Sequence, residues 1–239
     1  MHVVAIDLNA DEVINKHVEH CAGPLSAVAL DVTNSDAFKS LLEDVDERHG
    51  LRALFNIAGV GATMPFLKAS DEEWDRILAL NLRAVIDGTR TALALMQPRR
   101  RGVIVNMASV SGLVPVPFQT VYNTTKFAVV GLSTSLRPEA AAVGVQVNVV
   151  CPGNVESSIW GRPVIGPLSP RPVVPSDAVP ADEAARSILR GVVRNDPVIV
   201  FPAAARKLAR RHRLHPKRSE RLLIHLYRQR AHDHDVPRQ

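Results

Sequence analysis

Short continuous runs of apolar, mostly β-branched residues recur along the chain and predict buried β-strands. The chain opens inside one such run, VVAI, which ends at Asp7, and the last run, PVIVFP, covers residues 197–202. The runs between them lie at residues 27–32, 52–58, 102–109 and 145–153. Runs of this kind are typical of parallel strands that are covered on both faces.

Segments with helical periodicity alternate with these strands, at residues 10–20, 35–49, 70–97, 121–143 and 181–194. Asn34 or Ser35 can cap the second segment, and Ser70 with Glu73 forms a capping box for the third. The alternation predicts an α/β fold: a doubly wound, Rossmann-like parallel sheet with helices on both faces.

Two regions break this alternation. Residues 152–180 form a Pro-rich loop just past a predicted strand, where doubly wound sheets bind their ligands. Residues 203–239 are rich in Arg and His, and a helix is predicted after Ser219. We therefore divide the chain into a Rossmann-like domain, residues 1–202, and a basic helical tail, residues 203–239.

The composition narrows the class of protein. The 239 residues are 46% apolar, which excludes a disordered chain, and they contain no apolar run of 18 residues that could span a membrane. No secretory signal precedes the first predicted strand. Cys21 and Cys151 offer neither a disulfide framework nor metal-ligand spacing, so we expect a cytoplasmic protein without a metal.

The net charge of +5 is a property of the tail. Residues 203–239 hold 11 of the 29 Lys and Arg but only 3 of the 24 Asp and Glu, a balance of +8, which leaves −3 for residues 1–202. Nucleic acid is therefore not the expected partner of the main body. The tail is either a solvated extension or subunit contact, or a peripheral contact to an anionic membrane surface.

The strongest chemical signal is Tyr122 with Lys126 one helical turn later and Ser109 upstream. Positions i and i+4 share a helix face, and Ser109 ends a predicted strand whose carboxyl end opens on the ligand crevice. A neighbouring ammonium lowers the pKa of a tyrosine and makes it a usable acid or base. The serine hydroxyl can then hold a carbonyl or alcohol oxygen beside the tyrosine.

The order and spacing of these residues resemble the short-chain dehydrogenase/reductase family in its single-domain form. Further motifs match in order: N-I-A-G at residues 56–59, Asn81 on the long helix, Asp31-Val32, and P-G-N-V-E-S at residues 152–157. The resemblance covers residues 1–157 and extends more loosely to 202. Ile57 and Ser157 depart from the family pattern, and Pro138 predicts a kink or an early end of the helix that carries Tyr122.

The resemblance implies NAD(P)-dependent hydride transfer that interconverts a secondary alcohol and a ketone. Tyr122 would exchange the proton with the substrate oxygen, which Ser109 would orient. Lys126 would bind the nicotinamide ribose and lower the pKa of Tyr122. Asn81 would anchor a water that links Lys126 to solvent.

The family also implies a set of cofactor-binding residues. In chain order they are Asp7, Asp31, Val32, Asn56, Ala58, Gly59, Tyr122, Lys126, Pro152, Gly153, Val155 and Ser157. Asp7 predicts NAD rather than NADP, because an acid at this strand end accepts hydrogen bonds from the ribose 2′-hydroxyl and repels a 2′-phosphate. No Arg or Lys within residues 1–15 offsets that acid.

The largest departure from the family pattern is at the N-terminus. The family's first strand and Gly-rich phosphate loop are missing, and the chain begins at the family's second strand. That first strand is central in the family's sheet. The free energy lost with it would therefore be comparable to the total stability of a domain, ~5–15 kcal/mol. Two interpretations stay open. Either Met1 is an internal residue of a longer, active enzyme, or the chain is a truncated, catalytically silent relative that acts as a binding or membrane-associated scaffold.

The substrate is less well defined by these residues. Residues 60–67 and 113–119 are apolar, which suggests a lipophilic alcohol or ketone. The family commonly associates through its two long helices, here residues 70–97 and 121–143, so we expect a homo-oligomer.

Overall fold

The structure is a computed structural model that describes residues 2–11, 23–157, 159 and 174–233. Most of the helix predicted over 10–20, Cys21 and most of the Pro-rich loop lie outside the described residues.

The described part of the chain forms six strands, and every pairing between them is parallel. The strands are β1 (Val3–Asp7), β2 (Leu25–Ala29), β3 (Ala53–Asn56), β4 (Gly102–Met107), β5 (Val145–Pro152) and β6 (Val198–Phe201). Helices separate the successive strands from β2 onward, as a doubly wound sheet requires. The predicted Rossmann-like α/β fold is confirmed.

The strands divide into two sheets, β1–β2 and β3–β4–β5–β6, with no hydrogen-bonded strand between them among the described residues. The division falls where the sequence predicts that a central strand is missing. The β1–β2 pair is joined to the larger sheet by packing of side chains. Ile6, Leu30 and Val32 lie against a core cluster that contains Phe38 and Leu54.

The helices agree closely with the predicted segments. They are α1 (Ser35–His49), α2 (Asp71–Leu78), α3 (Ala84–Met96), α4 (Thr120–Ala142), α5 (Ala181–Val193), α6 (Ala203–Leu214) and α7 (Pro216–Asp233). Asn34 caps α1 by accepting a hydrogen bond from Ala37 N at 3.1 Å, and Ser70 forms the predicted capping box with Glu73. A π-helical turn, Ala79–Arg83, joins α2 to α3 within the single predicted segment.

The expected early end at Pro138 is wrong, because α4 continues to Ala142. Proline removes the N–H that would bond the carbonyl of Thr134. Thr134 and Pro138 are both exposed, so water can reach that carbonyl and the helix persists.

The tail is more helical than predicted. The helix expected after Ser219 begins at Pro216, and α6 precedes it directly after β6. Ala205 of α6 is buried, and Arg206 Nη1 donates to the carbonyl of Val200 at 3.0 Å. The basic tail therefore packs against the last strand and is not a detached extension.

The core lies around β4 and β5, where Ile104, Val147 and Val149 are almost wholly buried. The carboxyl ends of these two strands are therefore supported by a well-packed hydrophobic core. Within the described ranges, no helix combines the length and apolar character needed to cross a membrane.

Candidate active site

Ser109 lies just beyond the carboxyl end of β4 and caps a short 3₁₀ turn, Val110–Gly112. Its Oγ accepts a hydrogen bond from Ser111 N at 3.1 Å, and the side chain lies near enough to Tyr122 to lower the pKa of its hydroxyl. The turn therefore fixes the serine side chain and directs it to the tyrosine.

Tyr122 and Lys126 lie in the first two turns of α4 and point into the same space. Lys126 Nζ is 5.5 Å from the centroid of the Tyr122 ring and donates to the carbonyl of Met107 at 3.1 Å. Lys126 is only 4% exposed, so this carbonyl at the end of β4 holds its ammonium in place. The structure thus brings together Ser109, Tyr122 and Lys126 at the carboxyl edge of the sheet, as predicted.

The protonation of this cluster is set mainly by burial. Burial raises the pKa of Tyr122 above its ordinary value, although the Ser109 side chain opposes the shift. Burial also lowers the pKa of Lys126 from 10.5 to about 8. The direction of the Tyr122 shift is therefore opposite to the expected lowering by Lys126, because a phenolate that is removed from water loses its hydration.

Asn81 is fully buried in the π-helical turn between α2 and α3. Its Oδ1 accepts from Val60 N and its Nδ2 donates to Val60 O, both at 2.9 Å. Nδ2 also lies 3.4 Å from Thr125 Oγ1, which precedes Lys126 on α4. The side chain therefore clamps the backbone after the N-I-A-G motif, a contact that the sequence did not predict.

Gly59 marks a close approach between this backbone and the site. A methyl group at Gly59 would lie 3.0 Å from Asn81 Oδ1 and 3.6 Å from Lys126 Nζ. Glycine thus keeps open the space in front of Lys126, while Ala58 beside it is exposed. This opening fits the nicotinamide end of a dinucleotide.

The side chain of Asn56 is directed into the protein instead. Its Nδ2 donates to Asn106 Oδ1 at 2.9 Å and to Thr89 Oγ1 at 3.3 Å, and Asn106 Nδ2 donates to Ser133 Oγ. Asn56 is 8% exposed. It therefore ties β3 to β4 and α3, and its side chain is occupied within the fold.

The acids implied for the adenosine end lie at the ends of β1 and β2. Asp7 Oδ1 accepts a hydrogen bond from Asn9 N at 3.0 Å. Asp31 accepts from Thr33 N and Thr33 Oγ1, which lowers the pKa of its carboxyl. Val32 packs on the core below. Both carboxylates thus lie at or just past the strand ends where the family resemblance places the adenosine, with Asp7 assigned to the ribose and Asp31 to the adenine.

The P-G-N-V-E-S motif follows the end of β5. Gly153 N donates to the carbonyl of Phe201 at 2.7 Å, and a methyl group at Gly153 would meet Pro202 and Ala205 at 3.2 Å. Pro152 is the last residue of β5, Val155 forms a parallel bridge with Val179, and Ser157 is exposed. The glycine here allows the turn to pack against the start of α6.

Cys151 is a neighbour of the site that the sequence did not single out. It is fully buried at the end of β5, and burial raises the pKa of its thiol to about 12. The backbone of Ser109 and the charge of Lys126 both act on this sulfur. The only feature of the sequence that could have indicated Cys151 is its position directly before Pro152, where the P-G-N-V-E-S motif begins.

The residues present fit a dinucleotide at its two ends but not at its centre. Gly59 and Lys126 suit the nicotinamide end, and Asp7 suits the adenosine ribose. No Gly-rich turn that could bind a pyrophosphate occurs in the sequence. Within the residues that the structure describes, no group of three His, Cys, Asp or Glu side chains could hold a metal ion.

This fold and this cluster define a class of oxidoreductase, and the sequence comparison agrees. The chain belongs to the short-chain dehydrogenase family, whose model, described as short chain dehydrogenase, matches residues 1–163. The family consists of NAD(P)-dependent dehydrogenases and reductases, so the recognition made from the motifs is confirmed.

Among curated relatives, the chain is 38% identical over 140 residues to the inactive 2-(S)-hydroxypropyl-CoM dehydrogenase 2 of Xanthobacter autotrophicus. That match covers 58% of this chain and 61% of the relative. The chain spans less than two thirds of the length of the curated relatives that it matches most strongly.

Solved structures show the same fold. A short-chain dehydrogenase of Burkholderia phymatum in complex with NAD has a TM-score of 0.79 and 25% identity, covering 89% of this chain and 84% of its own. One from Sphingobium yanoikuyae in complex with NADPH has a TM-score of 0.74 and 23% identity, covering 91% and 85%. Neighbours of this fold thus bind either cofactor.

Proposed function

We propose that this protein is an NAD-dependent oxidoreductase that interconverts a secondary alcohol and a ketone, with Tyr122 as the proton carrier. One observation supports this most strongly. Ser109 acts on Tyr122 and lowers its pKa, and Lys126 Nζ lies 5.5 Å from the centroid of the same ring, at the carboxyl edge of a parallel sheet.

Each residue has a distinct task in this proposal. Burial keeps the proton on the Tyr122 hydroxyl at neutral pH, which is the form that donates to a ketone oxygen. Ser109 donates a hydrogen bond that orients that oxygen. Lys126, with a pKa of about 8, is still mostly charged at neutral pH and favours the phenolate that forms. A bound nicotinamide would supply or accept the hydride.

Asp7 supports a preference for NAD over NADP. Its carboxylate stands at the end of β1, where it would accept hydrogen bonds from a ribose 2′-hydroxyl and repel a 2′-phosphate. The apolar character of residues 60–67 and 113–119 favours a lipophilic alcohol or ketone. Phe127 is 42% exposed on α4 and supports association of two copies through this helix. We infer a cytoplasmic location because Cys21 and Cys151 offer no disulfide framework.

The test measures cofactor binding and turnover on the full chain. Wild-type protein should bind NAD more tightly than NADP and oxidise a panel of secondary alcohols. Tyr122→Phe keeps the ring but removes the exchangeable proton, so turnover should fall by about 100-fold or more while NAD binding is kept. Equal turnover by the variant would reject Tyr122 as the proton carrier, and tighter NADP binding would reject the cofactor preference.

A second candidate is a catalytically silent scaffold that binds a partner or an anionic membrane through its tail. The separation of the β1–β2 pair from the larger sheet favours it, because a cofactor would have to bridge the two. The exposed Leu214 and Ile224, set among basic residues of α6 and α7, favour the membrane contact. A folded wild-type protein that binds neither NAD nor NADP would support this scaffold over the enzyme.

A further inference from the structure

Phe118 lies where two segments beside the proposed active site meet. It belongs to residues 113–119, which connect the turn of Ser109 to the helix of Tyr122. Its carbonyl accepts a hydrogen bond from Met64 N at 2.7 Å, which joins it to the segment that follows N-I-A-G. Met64 in turn packs in one cluster with Tyr122. A movement of Phe118 would therefore also displace side chains that pack against Tyr122.

The backbone of Phe118 is held in a conformation that bulky residues rarely adopt. Its φ is 64°, in the left-handed region, and its side chain is 5% exposed. Such strain persists only where the surroundings hold the residue in place, and it occurs often at ligand-binding sites. A contact that fixes the Phe118 ring is thus needed for this loop to keep its shape.

Helix α7 supplies that contact. The ring of Tyr227 stacks on the ring of Phe118, with centroids 4.9 Å apart and planes inclined by 18°. The helix is itself anchored, because Ser219 is buried at its start and α6 is bonded to β6 through Arg206. The tail thus reaches back to the loop between Ser109 and Tyr122.

We propose that Tyr227 is a positioning residue of this enzyme. Through the stack with Phe118 it holds residues 113–119 in the shape that sets Ser109 against Tyr122. This inference rests on the proposed function.

Two variants of Tyr227 separate the ring from its hydroxyl. Tyr227→Ala removes the stack, so the KM for the alcohol should rise about 3- to 10-fold while the Kd for NAD is unchanged, since the cofactor residues lie elsewhere. Tyr227→Phe keeps the ring and should behave as wild type. Ile224→Ala is the matched control, because Ile224 is on the same helix and is 45% exposed against 41% for Tyr227.

Hydrogen exchange of residues 113–119 gives a readout that does not depend on turnover. Exchange should quicken in Tyr227→Ala and stay as in wild type in Tyr227→Phe and Ile224→Ala. If wild-type protein turns over no alcohol, the proposed function fails, and the exchange result alone then decides whether α7 holds this loop. Unchanged exchange in Tyr227→Ala, or the same rise in KM for all three variants, would overturn the inference.

Discussion

At the scale of single residues, the site is governed by desolvation. Lys126, Tyr122 and Cys151 share one buried region, and burial shifts the pKa of each towards its neutral form. The sequence predicted Lys126 as the group that tunes Tyr122, but it contained no measure of how deeply either would lie. Because a charge loses its hydration on burial, depth decides the direction of these shifts.

The lowered pKa of Lys126 has a consequence for stability. Above pH 8 the native protein begins to release this proton, whereas the unfolded chain, with a lysine pKa of 10.5, still holds it. The unfolded state then binds more protons at this site, so Lys126 alone should raise the free energy of unfolding by about 1 kcal/mol between pH 8 and pH 9. Urea unfolding at the two pH values measures this rise.

Lys126→Met is the control for this prediction, because methionine fills similar space and does not titrate. The rise should vanish in the variant, and a rise of the same size would contradict the assignment to Lys126. Cys151 lowers the free energy of unfolding over the same pH range in both proteins, since its unfolded thiol ionises near 9.0 while the native thiol keeps its proton to about 12. The contribution of Lys126 is therefore the difference between wild type and the variant.

At the scale of elements, buried asparagine side chains form hydrogen bonds between neighbouring elements. These bonds fix the relative positions of the elements more closely than hydrophobic contacts alone would. The π-helical turn directs Asn81 at the backbone of Val60, and the Asn56–Asn106 pair links β3 to β4. π-Helical turns are frequent at functional sites. Helical periodicity predicted one continuous segment over residues 70–97 and could not reveal the extra residue in this turn.

Loss of Asn106 should destabilise the protein strongly. Asn106→Ala removes one buried hydrogen-bond partner from each of Asn56, Thr89 and Ser133, so the free energy of unfolding should fall by about 2–4 kcal/mol. Asn154→Ala removes an exposed hydrogen bond to Asp177 and serves as the control, with an expected loss of about 0.5 kcal/mol or less. Similar losses for both variants, measured by urea unfolding, would contradict a structural role for the buried amides.

At the scale of the whole molecule, the division of the sheet is the dominant feature. The β1–β2 pair makes ladder hydrogen bonds only within itself among the described strands, whereas β4 and β5 are paired on both sides. A two-stranded sheet is marginally stable unless side-chain packing supports it. The part of the fold that carries Asp7 and Asp31 is therefore less stable than the part that carries Ser109, Tyr122 and Lys126.

Native-state hydrogen exchange should reveal this difference. Amides of β1 and β2 should exchange through local opening, at least about tenfold faster than those of β4 and β5, which should exchange only on global unfolding. Exchange followed by mass spectrometry on the full chain compares the two sheets within one sample. Equal protection of both sheets would show that side-chain packing alone stabilises the β1–β2 pair as well as strand pairing stabilises β4 and β5.

The sequence by itself determined the parallel α/β architecture and the Ser109–Tyr122–Lys126 cluster, whereas the place where the sheet is interrupted was predicted from the family resemblance. The architecture and the cluster follow from local information, because strand runs, caps and the i to i+4 spacing on a helix depend on residues close together along the chain. Asn81 was identified by its position, but its clamp on Val60 depends on a π-helical turn and on tertiary approach.

Only the tertiary structure decided which groups are desolvated and which distant segments touch. It reversed the expected pKa direction of Tyr122, directed Asn56 into the core and continued α4 past Pro138. It also placed the basic tail against the active-site loop through Tyr227 and Phe118, residues more than a hundred positions apart. Burial and long-range contact arise from how elements pack, and no local pattern of residues encodes them.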